Sequence, residues 1–368
     1  MTAQPSQARG ARATAPPPAV PSPAVPSPAA PPPAVPSPAV PARAVAAQTA
    51  PPSGGARALP GPEDLRSLLT IRHFENLLLR MFTEGRLNGT THTCLGQEHV
   101  PVSLAPLLAG DHVLSNHRGH GHYLALFRDP AGLLAEITGR EGAVCSGVGG
   151  SQHIRRDGYL STGVQGQSLP LAVGIALRCK RTGSGRIAAV FVGDGTWGEG
   201  AVYEALNMAA LWRVPVLVVV EHNGIAQSTP TSLQMAGSVA DRAAAFGIDF
   251  LEVTGHHVSD IRERLAPVVR RVREEHRPAV VQFTTHRLGP HSKGDDTRDP
   301  AEVELLRAGD WYARYAGLAD RTGEAFRDLD ARVRAELDAL AREVQARPPA
   351  ARRGPGRPRP RTEERWPN

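Results

Sequence analysis

Residues 193–223, GDGTWGEGAVYEALNMAALWRVPVLVVVEHN, decide how the chain folds. They follow the apolar run Arg186–Val192 and divide into a glycine turn, a helical pattern over 199–212 and a second apolar run over 214–221. Apolar runs without alternation mark strands covered on both faces, so the class is α/β, a parallel sheet with helices on both sides. A glycine turn between strand and helix ordinarily cradles phosphate. Asp194, between the first two glycines, sets an anion where an anion should bind. The turn also fits G-x-G-x-x-G, with Glu221 at the end of the next strand. That fingerprint supports an alternative, a nicotinamide-dependent oxidoreductase using residues 193–198, but it leaves Asp194 facing a diphosphate with nothing to neutralise either. A magnesium ion removes the conflict, since it shares oxygen ligands between protein and phosphate. Asp194, the side chain of Asn223 and the carbonyl of Ile225 can supply three, because adjacent parallel strands end side by side.

Further from this stretch the pattern continues. Residues 238–253, 260–275 and 278–287 extend the α/β alternation, and the chain beyond Pro300 is helical only. In 322–345, Phe326, Leu329, Val333, Leu337, Leu340 and Val344 recur at spacings of three and four, which makes a packing stripe. Upstream, 62–83 reads as an amphipathic helix with Pro62 and acids in its first turn. Residues 98–127 read as helix in pieces, interrupted by NHRGHGHY. Residues 139–169 are dense in glycine, and a helix resumes over Pro170–Arg178.

The two ends differ from the middle. Residues 1–60 contain no Asp, Glu or Lys and are dominated by Ala and Pro. Such a segment cannot bury a core and is expected to be an extended, disordered arm. It has no continuous apolar region, so neither a secretory signal nor a membrane anchor is expected. Residues 347–368 hold seven arginines and two glutamates and read as a basic disordered tail. The net charge of +6 therefore resides in the ends, and residues 61–346, expected to form the single domain, are net acidic. A basic tail is a weak nucleic-acid signal, and none is expected as partner. Three cysteines without C-x-x-C spacing point to a reducing, cytoplasmic setting. The histidines of NHRGHGH lack nearby carboxylates, which weighs against a histidine metal centre there.

Six ordered blocks carry a resemblance: THTCLGQE (91–98), NHRGHG (116–121), GVGGSQH (147–153), GVQGQSLPLAVGIAL (163–177), residues 193–223 and HRLGPHSKGDD (286–296). Together they resemble the alpha subunit of the two-chain, thiamine diphosphate-dependent 2-oxoacid dehydrogenases, which act on pyruvate or branched-chain 2-oxoacids, and the related acetoin dehydrogenases. The resemblance implies a thiamine diphosphate-binding fold and magnesium on Asp194, Asn223 and Ile225. It implies cofactor contacts from His117, diphosphate contacts from the backbone of Gly195 and Thr196 and from Arg118 and Arg287, an aminopyrimidine site at the backbone of Gly163 and Gln165, and catalytic roles for His92 and His291, the latter also touching the cofactor. His117 stands where the family commonly has Tyr, Gln165 where it often has an aliphatic residue, and His222 where it usually has Asn. Ser292 falls where some relatives are phosphorylated. The implied activity is decarboxylation of a 2-oxoacid with acyl transfer to a lipoyl group on an acyltransferase partner; acetoin is the alternative substrate. The carboxylate that activates the cofactor's pyrimidine would come from a beta subunit, giving an α2β2 heterotetramer, with helix 200–212 at a subunit contact.

Overall fold

The computed structural model describes residues 59–87, 89–292, 295–322 and 325–351. The expected disordered arm and most of the basic tail fall outside them. The helices are α1 (Pro62–Thr83), α2 (His99–Leu104), α3 (His120–Phe127), α4 (Pro130–Thr138), α5 (Ser168–Thr182), α6 (Gly200–Trp212), α7 (Val239–Ala245), α8 (Val258–Glu275), α9 (Pro300–Ala308), α10 (Trp311–Thr322) and α11 (Ala325–Ala346). The strands are β1 (His112–Ser115), β2 (Arg155–Arg156), β3 (Tyr159–Ser161), β4 (Ala188–Gly193), β5 (Val216–His222), β6 (Ile225–Ala226), β7 (Thr229–Pro230), β8 (Asp249–Val253) and β9 (Ala279–Thr284).

Seven strands form one sheet in the order β2-β3-β1-β4-β5-β9-β8, parallel except for the β2–β3 pair; β6 and β7 form a small antiparallel ribbon. Both faces are covered, as the apolar runs require. On β4, Ala189 and Phe191 join the core beneath α1, α8 and α11, while Ala188, Val190 and Val192 join the core beneath α5, α6 and α7. In α8, Val258, Ile261, Leu265, Val269 and Val272 repeat at helical spacing and are buried, and Pro267 is tolerated on the exposed side. Phe326, Val333, Leu337 and Val344 of α11 are buried, with Leu329 and Leu340 packed against them, so the stripe is core.

The helical pieces expected over 98–127 are α2 and α3, but His112–Ser115 between them is a strand inside the sheet between β3 and β4, and α3 already begins within NHRGHGHY, at His120. The glycine-rich segment also contains β2 and β3. Packing continues past residue 346: Ala350 donates from its backbone to Gly139 O (2.9 Å), Glu141 does so to Pro348 O (2.9 Å), and Arg140 bridges Pro349. No helix among the described residues is long and apolar enough to cross a membrane.

Candidate active site

The carboxyl ends of β1, β3, β4, β5 and β9 and the loop 91–98 surround a cavity of about 430 Å³, and every candidate site residue lines it. Gly193 pairs with Glu221, so the loops after β4 and β5 leave the sheet side by side. Asp194 is 2 % exposed. Its Oδ2 accepts from the Gly224 N–H (2.8 Å) and Thr231 Oγ1 (2.5 Å), and Oδ1 from the Gly195 N–H (3.1 Å). Asn223 Oδ1 accepts from the Ile225 N–H (3.2 Å), and its amide faces Gln97 Oε1 (3.4 Å). Two oxygen-bearing side chains are thus held rigidly at one sheet edge. Gly195 has a further role: a Cβ there would stand 2.5 Å from that of Ala226, so the glycine lets β6 approach the turn.

Across the cavity lie two cations. Arg118 is buried and, among the described residues, donates only to neutral groups: Thr93 O (2.6 Å), His291 O (3.1 Å) and His291 Nδ1 (3.2 Å). Burial, with Arg287 adding to it, pushes its guanidinium down to about 10. Arg287 is lowered too, by burial and by Arg298. It donates to Gln227 O (2.9 Å), and its buried Nε has no partner among the described residues. No carboxylate pairs with either arginine among the described residues. Arg298 clasps the loop that carries Arg287 and His291, donating to Arg287 O (2.6 Å) and Gly289 O (2.8 Å). The loop 91–98 is joined to it by Leu288 N–H to Leu95 O (3.0 Å), and a Cβ on Gly96 would collide with His286 O.

His92, His117 and His291 meet in this space, with ring centroids 4.7 Å (92–117), 4.8 Å (92–291) and 5.8 Å (117–291) apart. All three are pushed below the ordinary imidazole value, first by burial and then by Arg118; His92 falls to about 3. They are neutral at pH 7.

Sequence reading missed several contributors. Asn116 fixes the arginine loop by accepting from the Arg118 N–H (2.7 Å) and donating to Glu221 Oε2 (3.3 Å). Glu221 Oε1 also meets His122 Nε2 (3.2 Å), whose Nδ1 meets Ser115 Oγ (2.7 Å). Glu221 is therefore a buried anchor beneath the cavity. Gln152 was missed as well. A Cβ on Gly163 would collide with Gln152 Oε1, so that glycine makes room for a side-chain amide. The backbone role expected at Gln165 is joined by a side-chain one: its amide contacts His117, Thr196 and the Gly163 carbonyl.

A cavity at the carboxyl edge of a parallel sheet, with a fixed carboxylate facing unpaired arginines and neutral histidines, defines an α/β enzyme for an anionic cofactor. Residues 66–352 match the dehydrogenase E1 component family, and the chain belongs to it. It is 37 % identical over 289 residues to the alpha subunit of acetoin:2,6-dichlorophenolindophenol oxidoreductase of Cupriavidus necator, covering 76 % of this chain and 85 % of that one. It is 37 % identical over 251 residues to the pyruvate dehydrogenase E1 alpha subunit of Zymomonas mobilis (66 % and 70 % covered). Against the human testis-specific mitochondrial form, identity is 32 % over 286 residues (75 % and 74 % covered). The nicotinamide reading of residues 193–198 is thereby set aside.

Proposed function

We propose that this chain is the alpha subunit of a thiamine diphosphate-dependent 2-oxoacid dehydrogenase, with the diphosphate and a magnesium ion held at the carboxyl edge of the sheet. One observation carries the reading: two buried arginines without carboxylate partners among the described residues share a cavity with the rigid carboxylate of Asp194. Such a distribution is unbalanced until an anion reaches the arginines and a cation reaches the aspartate. The partnerless Nε of Arg287 fits a phosphate oxygen.

In this reading Asp194, Asn223 and the carbonyl of Ile225 hold magnesium, while Arg118, Arg287 and the backbone N–H groups of Gly195 and Thr196 hold the diphosphate. When bound, the cofactor supplies a thiazolium that accepts the electrons released as carbon dioxide leaves a 2-oxoacid. The chain's own contribution is orientation and remote binding energy. His92, held neutral far below pH 7, acts as a hydrogen-bond donor. His291 is only partly buried and is the better placed to exchange a proton with solvent.

A beta subunit completes the enzyme, as an α2β2 assembly, and a lipoyl-bearing acyltransferase receives the acyl group. Leu171 on α5 and Leu211 and Trp212 on α6 are exposed, which supports a subunit contact along helix 200–212. The globular unit comprises 61–346 with the segment 347–351 laid against it, and the cytoplasm is its compartment. The similarity to acetoin-oxidising relatives supports acetoin as a second substrate reading.

The test is calorimetry on the chain assembled with its beta partner. Thiamine diphosphate should bind only with magnesium, and Asp194→Ala should weaken binding by about 100-fold or more. Binding that ignores both chelator and mutation would overturn the reading. Turnover on a panel of 2-oxoacids and acetoin then selects the substrate.

A further inference from the structure

The three histidines of the cavity resemble a metal-binding cluster, since one nitrogen from each lies within 4.8 Å of the others. Their hydrogen bonds argue otherwise. Gln165 Nε2 lies 2.7 Å from His117 Nδ1 and 3.3 Å from Gly163 O. A carbonyl only accepts, so the end of the amide at Gly163 is the NH2, and it donates to His117 Nδ1 as well. Gln165 Oε1 is meanwhile occupied by the Thr196 hydroxyl at 3.0 Å. Gln152 repeats the device: Nε2 faces Thr90 O (3.5 Å) and His92 Nδ1 (3.2 Å). On His291 the donor to Nδ1 is Arg118, which has no acceptor to offer.

Each Nδ1 is therefore an acceptor. A neutral ring whose Nδ1 accepts carries its proton on Nε2. Among the described residues no protein group bonds any of the three Nε2 atoms, and all three rings line the cavity. A transition metal would need a free lone pair there and would sit beside Arg118 and Arg287, so the site suits an anion.

We propose that Gln165 is a positioning residue which holds His117 as an Nε2–H donor, so that His92 and His117 together grip the carboxylate of the acid substrate. This rests on the function proposed above and adds to it the group that makes His117 a donor. The charged and titratable groups facing His117 are Arg118, His92, His291 and Arg287, all cationic when charged. In the ligand-free chain the ring is held neutral at pH 7 by burial and by Arg118, and among the described residues the wild-type pocket sets no carboxylate side chain against it.

The experiment uses the assembled holoenzyme with its preferred 2-oxoacid and three variants. Gln165→Met removes the donor and should raise KM about tenfold, the loss of one hydrogen bond. Gln165→Glu reverses the polarity: the carboxylate accepts from Nδ1–H, turns Nε2 into an acceptor and raises the His117 pKa. KM should rise as far, and kcat/KM should gain a new ionisation between about pH 6 and 8. In a His117→Gln background, Gln165→Met should have no further effect on KM. A purely structural role for Gln165 would lower thermal stability and kcat while leaving the pH profile unchanged and the two mutations additive; that result overturns the proposal. Should Gln165→Glu fail to assemble, additivity of the other two variants decides alone. Direct titration with thiamine diphosphate separates the two readings. If the wild type does not bind it, the function proposed above fails. If all variants bind it within about threefold of wild type yet share its KM and pH profile, only the assignment of Gln165 fails.

Discussion

Arg72 and Arg118 are both buried guanidiniums, 8 % and 5 % exposed, yet they keep different company. Arg72 on α1 is gripped by Glu98 (2.6 Å) and Asp310 (2.6 Å) and stacks 4.8 Å from the Trp311 ring centroid. Glu98 also accepts from Trp311 Nε1 (3.0 Å) and the Gly96 N–H (3.0 Å). Every charge there is answered from within the fold, and the Arg72 guanidinium is pushed up despite burial because two carboxylates favour its charged form. Arg118 has carbonyls and an imidazole, and its guanidinium is pushed down. Matched charge marks a structural element, here the one that fixes α10 against the loop 91–98. Unmatched charge marks a place kept for a ligand, because burying a lone cation lowers stability unless something binds it.

The comparison can be broken by experiment. Arg72→Met leaves two buried carboxylates unpaired and should destabilise the folded chain by about 3–5 kcal/mol, read as a lower denaturation midpoint with or without cofactor. Arg118→Met should change cofactor-free stability by only ~1 kcal/mol, because a desolvated charge leaves together with its hydrogen bonds. The same variant should weaken thiamine diphosphate binding by ~30-fold, about 2 kcal/mol, since charge-assisted contacts are lost. If both arginines proved equally costly in the apo protein, the distinction would fall.

A smaller effect sharpens it. His92 at about 3 and His256 at about 4 lie below the ordinary value of 6.5, and His117 is lowered too. The unfolded chain takes up protons on these groups below pH 6.5 and the folded chain does not. Their contribution is complete above about pH 6.5 and is lost as pH falls toward 4, by at most about 1.4 kcal/mol per pH unit for each group. A diphosphate on Arg118 and Arg287 offsets the positive charge that lowers His92 and His117, so thermal melts at pH 5 should show less acid loss with cofactor than without it. His256 lies outside the cavity lining and should be indifferent.

What was legible in the sequence follows from this physics. Long apolar runs and helical stripes depend on few neighbours, so β4, β5, β9, α1, α8 and α11 can be read directly. β1 cannot: HVLS is four residues long, begins with a half-buried histidine and precedes a polar loop. The candidate residues came from ordered blocks, and the fold brings them to one cavity because their strands end at one edge. The glutamines escaped notice because their role is relational. Nothing in Gln152 itself says that the missing side chain of Gly163 makes space for it or that His92 lies within reach.

The segment 347–351 lies along Gly139–Glu141, and Glu136 accepts from the N–H groups of Cys145, Gly147 and Gly149 (2.6, 3.0 and 2.7 Å), just ahead of Gln152. Anyone trimming the protein for crystallisation at the last turn of α11 would unfasten that glycine-rich span from behind. Turnover would then suffer from a cut made far from the chemistry, whereas a stop codon after Ala351 would spare it.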